Sequence, residues 1–238
     1  MSKKSSFKKI LILVTVLALP GFLYFLLQEK GKNRYRPLDV FGPKQVASTF
    51  HTKRGVEIPD TIYHRIREFK LQSNTGDSIG IPTDSNQITI VNFFFTRCKS
   101  FCPAMNAAMA RVVAEFPDNR MLKFYSISVD PKYDTPNVLN QYAQTLKADP
   151  KRWSFLTGDK EFIFELARRD FLVDALLAPE NKKEDIVHSP MLILIDPDRK
   201  IRGFYDSTRK EQVDKLIDEI KVLITEELRT ITSLKPKK

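Results

Sequence analysis

Residues 87–95, QITIVNFFF, run without a charge and draw heavily on β-branched and aromatic side chains. A strand apolar at consecutive positions is buried on both faces, which places it inside a sheet covered by helices on both sides. The run leads into TRCKSFCP, residues 96–103, which holds the only two cysteines of the chain, Cys98 and Cys102. A proline just after the second cysteine suits a first helical turn, and AMNAAMARVVAEF then spaces its apolar residues helically.

The alternation continues downstream. LKFYSISVD (122–130) reads as the next buried strand, and Thr135-Pro136 caps and starts a helix to about Leu146. WSFLTG (153–158) is a short strand and KEFIFELARRDF (160–171) a helix, while 172–187 is irregular. PMLILID (190–196) and IRGFY (201–205) form a hairpin around Pro197-Asp198-Arg199-Lys200. A last helix at about 209–229 puts Val213, Leu216, Ile217, Ile220, Leu223 and Ile224 on one stripe. Upstream, 66–81 reads as two short strands around Asn74-Thr75-Gly76-Asp77. The expected fold is α/β, a mixed sheet with helices on both faces, over residues 59–229. Residues 28–58 read as a linker and lead-in and 230–238 as a basic tail.

The net charge of +10 would suit a nucleic-acid binder, but its distribution does not. Residues 1–36 carry Lys3, Lys4, Lys8, Lys9, Lys30, Lys32, Arg34 and Arg36 against Glu29, and the tail adds Lys235, Lys237 and Lys238, which leaves the body neutral. A nucleic-acid domain carries its charge on the folded body, so no nucleic-acid partner is expected. Between the basic flanks, residues 10–27 hold no charge. As a helix they rise ~27 Å, close to a hydrocarbon core of ~30 Å. Gln28-Glu29-Lys30 follows where a cleaved signal would have small residues, so residues 10–27 are expected to be an uncleaved transmembrane anchor after a basic flank, 1–9. The excess of N-terminal lysines predicts that the N-terminus stays inside. With no Arg/Ser-rich transit segment, the expected place is a bacterial inner membrane, single pass, the soluble domain facing the periplasm.

At the strand-to-helix turn, helix amides and dipole favour anions, so at least one thiol is expected to be acidic, helped by Arg97 and Lys99. Three other readings compete: a short disulfide that staples the turn, two inert buried thiols, or half of a zinc site lacking further cysteines. Of the three histidines, His51 and His64 are expected to be solvated, whereas His188 stands immediately before the strand 190–196. Asp130 and Asp134 read as turn and capping residues, Met105 and Met109 as core, and Phe93, Phe94 and Phe95 as core.

TRCKSFCP, SVDPKYDTP and VHSPMLILIDPDRKIRGFY, in this order and spacing, resemble the Sco/SenC family of thioredoxin-like, membrane-anchored copper-binding proteins, over about residues 60–225 plus the anchor. The resemblance implies a thioredoxin-like fold and copper bound by Cys98, Cys102 and His188. It also implies delivery to the dinuclear copper centre of cytochrome c oxidase. The implied partners are the oxidase subunit carrying that centre, other copper chaperones and a thiol reductant protein. Pro190 stands where thioredoxin-like folds often carry a cis-proline. Two thiolates and an imidazole make an open three-coordinate site whose sulfurs favour Cu(I) and whose nitrogen also admits Cu(II). Many relatives have an acidic residue directly before the histidine. Here that position is Val187, with Asp185 two places further back. The rival expectation is a thiol–disulfide oxidoreductase using Cys98 and Cys102 as redox thiols, for which His188 is dispensable.

Overall fold

The computed structural model describes residues 3–30, 37–53, 55–81, 86–173 and 189–234. The chain divides into two compact units, Met1–Arg36 and Pro37–Lys238.

The first unit is one helix, α1, Lys3–Lys30, with Pro20 inside it. Leu13, Leu17, Phe22 and Phe25 are all exposed on it. Among the described residues no helix is long and apolar enough to cross a membrane, so the expected transmembrane segment is not shown.

The second unit begins with a hairpin. β1 (Lys44–Lys53) pairs antiparallel with β2 (Val56–Tyr63), with a bulge between Val46 and Phe50. The linker reading missed β1 because scattered charges and a bulge break its alternation, and both faces stay exposed.

A seven-stranded sheet follows, built from β3 (Leu71–Ser73), β4 (Ser78–Ile79), β5 (Ile88–Phe94), β6 (Leu122–Ser128), β7 (Trp153–Thr157), β8 (Met191–Ile195) and β9 (Ile201–Asp206). Its order is β4-β3-β7-β6-β5-β8-β9. β5, β6 and β7 are parallel, and β3, β8 and β9 join antiparallel. The expected turn between β3 and β4 forms, with Gly76 supplying the positive φ of 92°.

The helices are α2 (Cys102–Glu115), α3 (Pro136–Thr145), α4 (Lys160–Glu165, continued by a π-helical turn Leu166–Asp170) and α5 (Lys210–Leu234). β5 shows how the sheet divides the core. Ile88, Ile90 and Phe94 pack with residues of α2, α3 and α5, and Val91 and Phe93 with residues of α4 and its π turn. That is the two-residue period of a strand buried on both sides. Every residue of β5 is buried. Phe93 and Phe94 are core as expected, and Phe95 is half-buried against both clusters. The expected stripe of α5 is buried from Val213 to Leu223.

On the edge, Phe41 N–H donates to the Ile201 carbonyl at 2.9 Å. Arg202 donates to Asp196 at 3.1 Å, Glu226 at 3.0 Å and the Leu38 carbonyl at 2.8 Å. These contacts fasten the lead-in to β9 and α5, and the fold leaves the C-terminal ends of β5 and β6 to carry the site.

Candidate thiol and metal centre

β5 ends at Phe94 and α2 begins at Cys102. Cys98 therefore lies in the turn between them, one turn ahead of the helix rather than on it. Pro103 occupies the first helical turn, as expected. Both cysteines are thiols and both are buried, Cys98 at 8% exposure and Cys102 at 0%. Met105 and Met109 continue α2 inward, fully buried, as core.

The two sulfurs are not equivalent. Burial pushes the Cys98 thiol up, but hydrogen bonds from the Cys102 thiol, Ser100 and the backbone N–H groups of both outweigh it, so Cys98 ends below the ordinary thiol range. Ser100 Oγ is 3.3 Å from Cys98 Sγ. Cys102 is pushed far up, by burial first and then by its own donation to Cys98, against a backbone hydrogen bond from Phe95. One thiol is acidic because the other is held protonated beside it. Arg97, expected to acidify the site, is turned away: its guanidinium meets Asp130 at 2.5 Å and lies 4.2 Å over the Tyr133 ring.

Asp134 is a correction as well. Thr135 caps α3, its hydroxyl accepting from Val138 N–H. Asp134 is instead fully buried and accepts from Thr96 N–H at 3.0 Å, Thr96 Oγ1 at 2.5 Å and Ser128 Oγ at 2.5 Å. It locks the end of β5 to the end of β6 directly below the cysteine turn.

A buried polar row lies under Cys102. Asn92 Nδ2 donates to Asn106 Oδ1 at 3.2 Å, and Asn106 Nδ2 donates to the Tyr142 hydroxyl at 2.8 Å. Asn106 stands one helical turn beyond Cys102, on the same face of α2. These residues, and Ser100, were not singled out in the sequence. The available signal was asparagine inside two otherwise apolar runs.

His188 and residues 174–187 lie outside the described residues. β8 runs antiparallel to β5 with Val91 opposite Ile193. That register brings the start of β8 beside the end of β5 that leads to Cys98. Among the described residues no group of three or more His, Cys, Asp or Glu could hold a metal ion. Two soft sulfurs, one already acidic, fit Cu(I) as a cargo ion and leave it open to a further ligand. His51 is exposed and meets Asp60 at 2.7 Å. His64 is half-buried rather than solvated, and its Nε2 donates to the Asp170 carbonyl at 2.7 Å. No cis peptide bond occurs among the described residues, so Pro190 is trans; its carbonyl accepts from Ser207 N–H and Oγ.

Known proteins agree with this layout. Residues 61–225 match the SCO1/SenC family model. The SCO1 protein homolog of Bacillus subtilis (strain 168) is 27% identical over 172 residues, covering 70% of this chain and 86% of that one. The structure is similar to that of BsSco, a member of the Sco family of cytochrome c oxidase assembly proteins in which a disulfide switch was identified. It shares 25% identity at a TM-score of 0.59, covering 68% of this chain and 94% of that one. It is also similar to copper-bound ScoI of Arabidopsis thaliana, at 25% identity and a TM-score of 0.53, covering 65% and 97%. With a thioredoxin-like sheet, a cysteine pair at the β5–α2 turn and a family match over most of its length, this chain belongs to the SCO1/SenC family.

Proposed function

We propose that this protein is a membrane-anchored copper chaperone that carries one copper ion on Cys98, Cys102 and His188. It passes the ion to the dinuclear copper centre of cytochrome c oxidase. The observation that carries this reading is the unequal thiol pair in a chain of this family, beside relatives that bind copper and assemble the oxidase. Cys98, the more acidic thiol, is the first to ligate, and Cys102 gives up its proton as the ion arrives. His188 stands in sequence just before β8, whose antiparallel register with β5 supports its approach to the thiols. Three ligands leave a position for the acceptor's own ligand, which suits transfer. The uncharged run 10–27 and its basic flanks support an anchor in a bacterial inner membrane, the domain in the periplasm. Copper titration of the purified protein tests the ligand set: binding one ion per chain is expected, with loss of tight binding in Cys98→Ser and His188→Ala.

The same thiols support a second reading, thiol–disulfide exchange. The Cys98 thiolate attacks a substrate disulfide and releases one substrate thiolate. Cys102, once deprotonated, then attacks the Cys98 sulfur and releases the second, so the substrate is reduced and this chain becomes a disulfide. An external protein dithiol must then reduce it. Undiminished turnover by His188→Ala in metal-free solution would favour this reading.

A further inference from the structure

The end of the sheet away from the thiols holds an open cavity of about 430 Å³, within the size range of small-molecule sites. It lies where β5 and β6 begin, about 20 Å along β5 from the cysteine turn. Arg120, Lys123, Lys151 and Arg152 line it, together with Asp118 and Asp149. Among the described residues none of the four cations meets a carboxylate. Lys123 Nζ donates to the Lys151 carbonyl at 2.7 Å. The Arg152 guanidinium donates to the carbonyls of Val113, at 3.2 Å, and Phe116, at the C-terminal end of α2. It lies 5.8 Å from the centre of the Phe124 ring, and its Nε is buried without a hydrogen-bond partner. A half-buried guanidinium held by carbonyls alone has no counter-ion for its charge, which is costly away from bulk water. Arg120 and Lys151 are exposed on the same cavity, and their side chains make no hydrogen bond or ion pair among the described residues. What the cavity lacks is an anion.

We propose that this cavity is a binding site for a phosphate monoester. Four cations against two carboxylates leave its lining at +2, the complement of one phosphate dianion rather than of a singly charged carboxylate. Arg120 and Arg152 bring guanidinium groups, whose forked donors match phosphate oxygens, and the two lysines add point charges. Asp118 and Asp149 suit an ester part that carries hydroxyls, because a carboxylate accepts from O–H and repels a second phosphate. Such a phosphate reaches the protein either as a soluble ester or as the headgroup of phosphatidic acid in a bilayer. The site stands apart from the thiols and needs neither copper nor His188.

The test is thermal melting of the full-length, copper-free chain in a non-ionic detergent. Glycerol 1-phosphate is titrated in one arm and sodium acetate at equal ionic strength in another. In a third arm phosphatidic acid is added to the micelles, against phosphatidylcholine as its control. A phosphate source is expected to raise Tm saturably, by mass action on the folded state, whereas acetate and phosphatidylcholine are not. Arg120→Ala combined with Lys151→Ala is expected to weaken the response at least about tenfold, through the loss of charged hydrogen bonds. Each single variant should lose part of it, and these serve should the double variant fail to fold. Lys132→Ala, which removes an exposed cation outside the cavity, should respond as the wild type does. A response to glycerol 1-phosphate assigns the site to a soluble ester, and a response to phosphatidic acid alone assigns it to a lipid headgroup. No response to either source would overturn the proposal. So would an equal response to acetate, or one that survives in the Arg120 and Lys151 variants.

Discussion

Cys102, in the first turn of α2, donates to Cys98 in the turn before it, so the acidity of one thiol is set by the retained proton of the other. The pair is thus a ready ligand or nucleophile backed by a proton reservoir, and its chemistry depends on which event removes the second proton.

Alkylation should discriminate the two thiols. At pH 7, iodoacetamide is expected to modify Cys98 first and Cys102 at least tenfold more slowly, because only the thiolate reacts and Cys102 is fully buried. Mass spectrometry of peptides from partly labelled protein reads the order. Equal rates would contradict the division of roles.

Cu(I) loading should release a proton. Cys102 is protonated in the metal-free protein, its thiol being raised far above neutrality, and a coordinating sulfur is deprotonated. Cu(I) binding is therefore expected to tighten as pH rises, as read by competition with a Cu(I) chelator of known pH dependence. In Cys102→Ser this dependence should weaken.

Asp134 is expected to be a stability residue. Asp134→Ala leaves the Thr96 and Ser128 donors without their buried acceptor and should cost about 3 kcal/mol in urea unfolding. Asp134→Asn retains one acceptor oxygen and should cost less.

Glu227 on α5 gives a pH signature away from the site. Burial first, and then the charges of Asp196 and Glu226, raise its carboxyl to about 6, from 4.5. A raised acid favours the folded state while protonated, so its contribution is full below about pH 4.5 and is lost as pH rises through about 6. Glu227→Gln is expected to stabilise the protein at pH 7 by no more than about 1 kcal/mol after solvent screening, and to make no difference at pH 4. Thermal melts at the two pH values check this.

Much of the fold was legible because its strands are buried on both faces. Residues 87–95 and 122–130 read as central strands from apolar continuity, and the α5 stripe from its period. The hairpin β1–β2 was not legible, since exposed strands with a bulge leave no apolar alternation. Within the site, the cysteines and the Thr135 cap could be read locally. The burial of Asp134 and the turning away of Arg97 could not, because both depend on Ser128, Thr96 and Asp130 meeting across strand ends. Tyr142 looked like one more aromatic on an amphipathic helix, and only its bond to Asn106 marks it.

The most direct test of the account is Cu(I) titration of the purified full-length chain and of its His188→Ala and Cys98→Ser variants, followed by X-ray absorption of the loaded wild type. One copper per chain is expected, with two sulfurs and one nitrogen in its shell, and loss of tight binding in both variants. Full-affinity binding by His188→Ala, with a shell of sulfur alone, would contradict it.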